Sequence, residues 1–368
     1  MKLLDIKQQD LWSYLDNSSS PIVLYGTGDG ADKIIKVLQQ HSLADRIKAV
    51  FASDGFVRNR TFRGFKVESF DEVRMRLGND ITVLVCFGSS RPEVLDNIER
   101  ISKICETLIP DVPVCGETVF DSAFVRETES RLSAVYDRLE DDISRKCFEN
   151  YVYYKLTGRI DLLEASETPD DEKDMLRDVP ADTFFLDLGA YNGDTVKRYM
   201  ELLPSCSGAV AVEPERHSYK KLAAVCEEYE GKVTPINALI SDHTGEGVMT
   251  SSHGRGTRSG NITGAGEGIN SVKTVPVSLV TIDSLMEGKT PGFIKFDVEG
   301  SELDAIRGGE QTIKKHGPTL MVSCYHRSED LFVLPEEILS LRSDYRMYIR
   351  RSRCVPGWDT AFWFTTGM

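Results

Sequence analysis

One stretch of the sequence, "LDLGAYNGDT" at 186–195, joins an apolar run to a turn that contains glycines and acids. Its pattern predicts a strand that ends near Asp187, a sharp turn and a helix. Gly189 allows the backbone to approach a ligand closely, and Gly193 permits a left-handed or crowded turn. Asp187 and Asp194 would repel a pyrophosphate and suit a ligand with a positively charged amino-acid head. This charge pattern favours S-adenosylmethionine over NAD.

A further carboxylate follows at the end of the next predicted strand. In "AVAVEP", Glu213 lies at the strand tip, where an acid accepts hydrogen bonds from ribose hydroxyls in doubly wound folds. A single acid at a strand end can equally cap a helix, but the pairing of Asp187 with Glu213 at this spacing favours a cofactor site. Further on, "PINALISD" places Asn237 beside the predicted adenine pocket and Asp242 within reach of the adenine exocyclic amine.

The segment "FIKFDVEGSELDAIRGG" predicts a strand that ends on Asp297, with Glu299 and Gly300 in the following turn. In open α/β sheets the chemistry lies outside the carboxyl ends of the strands, so these two acids are expected next to the reactive end of the cofactor. Asp297 can alternatively accept only backbone amides at the turn. Ser301 and Asp304 are expected to form a capping box for the next helix.

The next strand, "LMVSCYHR", brings Tyr325, His326 and Arg327 to the same edge of the sheet. A neutral imidazole is a competent base near pH 7, so His326 is a candidate for removing a proton from an acceptor hydroxyl, with Asp297 as the rival. Tyr325, Arg327 and Glu299 are candidates for binding the acceptor. The six histidines show no HxxxH or HxxH spacing, and no metal site is predicted, although the acidic cluster could hold a divalent cation.

Alternating strands and helices position these residues. Strands are predicted at 183–188, 209–213, 233–240, 293–298, 319–324, 345–350 and 361–366. The loop between the last two strands is too short for a crossover helix, so they should pair antiparallel. The expected fold class is therefore α/β, with a Rossmann-like methyltransferase domain at 181–368 that has a mostly parallel seven-stranded sheet and an antiparallel hairpin.

Two further parts precede this domain. Residues 1–118 alternate apolar strands with helices and predict a small parallel α/β domain. Residues 119–180 are expected to form a helical connector and linker. In the connector, apolar residues recur at helical spacing and predict one amphipathic helix, and Gly158 should end the helix that continues or follows it. The residues of the apolar stripe are Leu132, Val135, Leu139 and Ile143.

Composition limits the possible classes of protein. The chain has 368 residues, 40% of them hydrophobic, and a net charge of −14, which disfavours a nucleic-acid partner. Its start lacks the apolar region of a signal peptide, and no run approaches the roughly 18 apolar residues of a membrane span. The eight cysteines show no CxxC pair, which is typical of reduced thiols in a cytoplasmic protein.

Taken in order, the motifs "FFLDLGAYNGDT", "VEPERHSYKKL", "NALISD", "TIDSL", "IKFDVEGSELDAIRGG" and "YHRSEDLF" resemble the FkbM-type methyltransferases over roughly residues 175–368. The resemblance implies an S-adenosylmethionine-dependent enzyme that O-methylates a hydroxyl of a sugar or another natural product. It assigns cofactor contacts to Asp187, Gly189, Asn192, Gly193, Asp194 and Glu213. It places the D-x-E-G site at Asp297, Glu299 and Gly300.

A second glycine turn, "YGTGDGA" at 25–31, fits a dinucleotide fingerprint, with Asp54 ending the next predicted strand. Asp29 and Asp32 lie where a pyrophosphate would bind. Residues 1–118 resemble the small Rossmann-like domains of sugar-nucleotide-modifying proteins. Recognition of a sugar nucleotide or glycan, or a scaffold that positions or dimerises the catalytic part, is therefore favoured over a working NAD site.

Two alternatives stay open at the level of sequence. The glycine-rich stretch 251–268 is expected to be a mobile loop, either a lid over the substrate or a disordered segment. The protein could also be a sugar-nucleotide-binding or scaffold protein whose methyltransferase domain only senses S-adenosylmethionine. The intact set of candidate site residues favours the enzyme.

Overall fold

A computed structural model of the chain describes residues 9–53, 55, 57, 60–251 and 273–367. Asp54 and the part of the predicted mobile loop from residue 252 onward lie outside these ranges. None of the helices within them combines the length and the apolar character that a bilayer crossing requires.

The first part of the chain forms a six-stranded sheet in the order β3-β4-β2-β1-β5-β6, parallel except for the β3–β4 pair. Alternate residues of β1 enter different apolar cores, Val23 and Tyr25 on one face and Ile22 and Leu24 on the other. The sheet is therefore covered on both faces, which explains its continuous apolar strands. Its elements are α1 (Leu11–Asn17), β1 (Ile22–Tyr25), α2 (Asp29–Gln40), β2 (Ile47–Phe51), β3 (Thr61–Phe62), β4 (Phe65–Glu68), α3 (Phe70–Leu77), β5 (Thr82–Val85), α4 (Pro92–Ser102) and β6 (Glu106–Leu108), with a 3-10 helix at Ala44–Arg46.

The connector contains two long helices where the sequence predicted one continuous stripe. Leu139 has extended backbone and ends the first helix, and the Asp141 carboxylate caps the second by accepting the Ser144 amide at 2.7 Å. Ile143 consequently lies on an exposed face. Gly158 ends the second helix in a left-handed conformation, as predicted. The helices are α5 (Ser122–Arg138), α6 (Asp142–Thr157), α7 (Ile160–Ala165) and α8 (Glu172–Met175).

The last part forms the predicted seven-stranded sheet, in the order β15-β16-β14-β13-β7-β8-β9. Strands β14, β13, β7, β8 and β9 are parallel, and β15 and β16 form the antiparallel hairpin. The central strand β13 therefore has its carboxyl end between those of β7 and β14. The elements are β7 (Phe184–Leu188), α9 (Asp194–Leu202), β8 (Gly208–Val212), α10 (Arg216–Glu227), β9 (Val233–Ile236), β10 (Leu239–Ile240), β11 (Gly245–Ser251), β12 (Lys273–Val280), α11 (Ile282–Leu285), β13 (Pro291–Phe296), α12 (Glu302–Arg307), α13 (Glu310–His316), β14 (Thr319–Ser323), α14 (Asp330–Leu341), β15 (Arg346–Arg351) and β16 (Thr360–Thr365).

The strand predicted at 233–240 is divided between two sheets. Its first half is β9, the edge strand of the large sheet, where Pro235 is tolerated. Its second half is β10, which pairs with β12 in a separate three-stranded sheet with β11. At the break the Asn237 side chain donates to the carbonyl oxygens of Glu213 and Pro214, at 2.8 and 3.0 Å, and draws the chain toward the end of β8.

The carboxyl ends of the two large sheets are in contact. After β5, Ser89 pairs with Val355 of the β15–β16 loop through two backbone hydrogen bonds of 2.7 and 3.0 Å. After β6, the Cys115 amide donates to the His326 carbonyl at 2.9 Å. The first sheet therefore lies against the loops that carry the predicted acceptor residues. The division of the chain at residues 118 and 180 stays a prediction.

Candidate active site

A buried lysine joins the ends of β7 and β13. Lys295 is 3% exposed, and its Nζ lies 3.2 Å from Asp187 Oδ1, 3.2 Å from the Gly189 carbonyl oxygen and 3.7 Å from Asp297 Oδ2. Burial disfavours its charge, but Asp187 and Asp297 together hold the pKa of Lys295 above its usual value. Lys295 is not among the site residues predicted from the sequence, although a lysine inside the apolar run "FIKF" is a visible signal.

Asp187 is fully buried, and the Thr195 hydroxyl at the start of α9 also donates to its carboxylate. The carboxylate is thus occupied by Lys295 and Thr195 beneath the surface. In this geometry Asp187 fixes the turn between β7 and α9. The charge pattern suggested that Asp187 contacts the amino-acid head of a ligand directly, but burial of the carboxylate does not favour such a contact.

The glycines of the turn allow close packing. A Cβ on Gly189, which has φ +79°, would lie 1.9 Å from the Asp297 carbonyl oxygen, so only glycine lets the two strand ends meet. Gly193 is left-handed, and a Cβ there would lie 2.9 Å from Val225. Asn192 Oδ1 accepts the Asp194 amide at 3.2 Å, and Asp194 is exposed at the start of α9. Asn192 and Asp194 therefore keep accessible polar side chains in this turn, and their contact with a cofactor stays a prediction.

Glu213 follows β8 and turns its carboxylate toward the glycine turn. It is 7% exposed and accepts the amides of Tyr191 at 3.0 Å and Glu215 at 2.8 Å, one on each oxygen. Burial outweighs these two hydrogen bonds and raises the pKa of Glu213 to about 7. Each oxygen keeps a lone pair with which it can accept a hydroxyl. Asp242, by contrast, is exposed, and its Oδ1 lies 2.6 Å from His243 Nδ1, so a role at adenine stays a prediction.

Asp297 is the more accessible of the two carboxylates beside Lys295, with a side chain that is 32% exposed while that of Asp187 is fully buried. Its Oδ1 accepts the Tyr325 hydroxyl at 2.9 Å. Burial opposes ionisation, but the charges of Lys295 and His326 outweigh it and lower the pKa of Asp297. Asp297 is therefore an ionised acceptor at neutral pH.

The turn after Asp297 is closed differently from the predicted capping box. Ser301 makes no side-chain cap hydrogen bond. Instead Glu302 Oε1 accepts the Val298 amide at 2.9 Å from inside the turn. The backbone is left-handed at Glu299 and Gly300, with φ of 52° and 96°, and the Glu299 side chain is 43% exposed. Glu299 therefore stands at the open side of the site.

Arg327 supports this turn. Its Nε and Nη2 atoms donate to the Gly300 carbonyl oxygen at 3.2 and 3.0 Å. The residue predicted to bind substrate therefore connects the β13 and β14 loops. An acceptor contact by Arg327 stays a prediction.

The environment of His326 does not suit the predicted role of a neutral imidazole that removes a proton from the acceptor. The ring is fully buried, with Nδ1 2.9 Å from Glu302 Oε1 and Nε2 3.7 Å from Asp297 Oδ1 and 3.9 Å from Glu299 Oε2. Burial disfavours its charge, but these carboxylates outweigh burial and raise the pKa of His326 to about 9. A raised pKa favours the imidazolium at neutral pH, and an imidazolium cannot take a proton. Of the two candidate bases, the geometry favours Asp297.

Three buried groups, Glu302, His326 and Asp330, have possible ligand atoms within 4.8 Å of one another. By distance they could hold a metal ion. The sequence spacing did not indicate this cluster, because its residues come from the starts of two helices and the end of a strand. The positive charge that balances the carboxylates can equally be the His326 imidazolium itself.

The His326 geometry predicts a pH-dependent stability. Since its folded pKa of about 9 lies above the ordinary value of 6.5, the imidazolium stabilises the fold fully below pH 6.5, and this contribution is lost as the pH rises through 9. We expect the free energy of unfolding to fall by roughly 2–3 kcal/mol over this interval in the wild type. Urea unfolding at several pH values should show that His326→Gln lacks most of the decrease. Parallel pH curves for the two proteins would contradict the assignment.

Comparisons with known proteins give a family match and a shared fold. Residues 187–347 match the family model of the methyltransferase FkbM domain. The crystal structure of methyltransferase FkbM from Methylobacillus flagellatus KT is similar over 93% of this chain and 89% of that chain, with 21% identity and a TM-score of 0.67. That likeness establishes a shared fold, including the first sheet and the connector.

Two other solved structures are similar over about half of the chain. A precorrin-6y C5,15-methyltransferase from Geobacter metallireducens GS-15 covers 52% of this chain and 82% of its own, with 12% identity. An rRNA methylase from Streptococcus thermophilus covers 53% of this chain and 93% of its own, with 11% identity. Both have a TM-score of 0.33. No curated protein matches the chain.

Proposed function

We propose, for a chain that carries an FkbM methyltransferase domain, that it transfers a methyl group from S-adenosylmethionine to a hydroxyl oxygen of a sugar, a glycan or a related small acceptor. The supporting observation is that the Glu213 carboxylate turns to the 189–193 glycine turn, while the Asp297 carboxylate lies at the end of the central strand beside the same turn. The carboxylates proposed to bind the cofactor and to accept the proton therefore lie at the same edge of the sheet.

The residues present fit S-adenosylmethionine. The Glu213 oxygens can accept the two ribose hydroxyls. The glycine turn that contains Asn192 and Asp194 lies next to Glu213, because the Tyr191 amide of this turn donates to its carboxylate. Asp194 and Glu299 are exposed carboxylates, which suit a ligand with two positive charges, the sulfonium and the ammonium. When bound, S-adenosylmethionine supplies a methyl group that is already activated by the sulfonium.

Residues of the chain bind the acceptor and remove the proton from its hydroxyl. The ionised Asp297 orients the acceptor hydroxyl and takes its proton as the new oxygen–carbon bond forms. Tyr325 donates to one Asp297 oxygen and keeps the carboxylate oriented. Lys295 and His326 keep Asp297 ionised, which means that His326 acts through the base and not as the base.

The first sheet is proposed to position the catalytic part and to cover the acceptor side. Its glycine turn needs no ligand to explain it, because a Cβ on Gly26 would lie 2.5 Å from the Phe87 ring and one on Gly30 would lie 2.3 Å from the Cys86 carbonyl oxygen. A sugar-nucleotide site, homodimerisation and a cytoplasmic location stay proposals. The last is supported by eight cysteines that are all free thiols.

Incubation of the full chain with methyl-labelled S-adenosylmethionine and a panel of hydroxylated acceptors tests the reaction. We expect label in a product that survives mild alkaline hydrolysis, because a methyl ether is stable where a methyl ester is not. Binding of S-adenosylmethionine without transfer to any acceptor would favour a sensing protein instead.

A further inference from the structure

We propose that Trp358 is the surface on which a neutral sugar ring of the acceptor lies, and that the first sheet holds this surface in place through Gly88. The inference rests on the proposed methyl transfer and names the residue that would select a sugar as the acceptor. It also gives the first sheet a direct part in acceptor recognition.

Trp358 lies close to the proposed base. It belongs to the loop that joins β15 and β16, and its indole ring faces the Tyr325 ring with a centroid distance of 6.4 Å and an interplanar angle of 29°. The Tyr325 hydroxyl in turn donates to Asp297 Oδ1 at 2.9 Å. A molecule that contacts the Trp358 ring therefore lies one aromatic side chain away from the carboxylate that would take its proton.

The first sheet fixes the position of the indole. A Cβ on Gly88 would lie 2.1 Å from the Trp358 ring, so the ring rests directly on the backbone after β5. The adjacent Ser89 holds Val355 of the same loop by two backbone hydrogen bonds. Since Gly88 is not left-handed, its lack of a side chain is required here for space and not for backbone conformation.

The chemistry around Trp358 suits a neutral sugar. The chain has three tryptophans, of which Trp12 and Trp363 are each 1% exposed, while Trp358 is partly exposed. A partly exposed aromatic ring offers an apolar face for the C–H groups of a pyranose. Two carboxylates near Asp297 can accept sugar hydroxyls. Glu299 Oε2 lies 3.9 Å from the His326 Nε2 atom that is 3.7 Å from Asp297 Oδ1, and the exposed Asp359 lies close enough for the charge of Asp297 to raise its pKa. The same carboxylates would repel a phosphorylated acceptor.

Fluorescence tests whether a sugar contacts the ring. Methyl glycosides of glucose, galactose, mannose and rhamnose are titrated into the full chain saturated with S-adenosylhomocysteine, which permits no reaction. We expect at least one glycoside to change the tryptophan emission of the wild type and to leave that of Trp358→Phe unchanged. Absence of any change in the wild type, or an equal change in the variant, would overturn the proposal.

Kinetics test whether the ring and its support select the acceptor. Trp358→Leu and Gly88→Ala should each raise the acceptor KM by about tenfold, which corresponds to about 1.4 kcal/mol. The affinity for S-adenosylmethionine should change less than twofold (roughly 0.4 kcal/mol). Gly55→Ala is the matched control, since a Cβ there meets nothing within 4 Å.

An unchanged acceptor KM in both variants, with methyl transfer intact, would overturn the proposed role of Trp358 in sugar binding. It would leave the proposed methyl transfer unaffected. Failure of the wild type to bind S-adenosylmethionine or to transfer a methyl group would instead remove the proposed function. In that case the fluorescence titration, carried out on the chain without S-adenosylhomocysteine, still decides whether a sugar contacts Trp358.

Discussion

Replacement of Lys295 by methionine is expected to lower the free energy of unfolding by about 3–5 kcal/mol and to abolish methyl transfer. Lys295 and Asp187 are both almost completely buried, so removal of the ammonium leaves the Asp187 carboxylate without its counter-charge in the protein interior. The same change removes a charge that keeps Asp297 ionised. Chemical unfolding and the labelled methyl assay measure the two effects separately.

A second variant distinguishes stability from catalysis. The double variant Asp187→Leu/Lys295→Met replaces the buried pair with apolar groups and should recover most of the lost stability, because a buried ion pair is often no more stabilising than a well-packed apolar pair. It should not recover activity. Lys314→Met, which removes an exposed lysine paired with Glu310, is the control and should change stability by less than about 1 kcal/mol. If Lys295→Met were as stable as this control, the buried Asp187–Lys295 ion pair would not stabilise the contact between the ends of β7 and β13.

Substitution of Asp297 by asparagine is expected to lower kcat by roughly 10²–10⁴. The amide keeps the shape of the side chain and can still accept the Tyr325 hydroxyl, but it cannot take a proton from the acceptor. Binding of S-adenosylmethionine should stay within about threefold of the wild type, since Glu213 and the glycine turn are unchanged. Steady-state kinetics and calorimetric binding provide the two readouts.

Asp71→Asn is the matched control for this change, because Asp71 is an exposed carboxylate on α3. It should have wild-type kcat. His326→Gln supplies the contrast, since an imidazolium that acts through Asp297 should shift the pH profile of kcat and lower its maximum less than Asp297→Asn does. An Asp297→Asn enzyme with nearly normal kcat would exclude Asp297 as the base.

The α/β architecture could be predicted from the sequence because its strands are short apolar runs between glycine turns and helical stripes. The antiparallel hairpin followed from a loop too short for a crossover, and the structure confirms it. The break at Leu139 and the division of 233–240 could not be predicted in this way. Both depend on side chains that bond distant carbonyls or cap a new helix, as Asn237 and Asp141 do.

In the candidate site, too, the features that depend on contacts between distant residues could not be predicted from the sequence. Sequence spacing identified the acids at the strand ends, but only the fold shows that Asp187 is paired by Lys295 and that His326 lies among carboxylates. The protonation state of a histidine depends on the charges around it in space, and these come from residues 24 to 29 positions away in the chain, Asp297, Glu299 and Glu302. The methyltransferase family was recognised from the motifs, and the family model confirms it over residues 187–347.

Calorimetric titration of S-adenosylmethionine into the full chain tests the central claim most directly, with Glu213→Ala and Glu227→Ala measured alongside. We predict micromolar binding to the wild type and to Glu227→Ala, an exposed change on α10. Binding to Glu213→Ala should be at least about tenfold weaker, as expected when a ligand loses about 1.4 kcal/mol of interaction. Equal affinity for all three proteins, or no binding to the wild type, would contradict the proposed cofactor site.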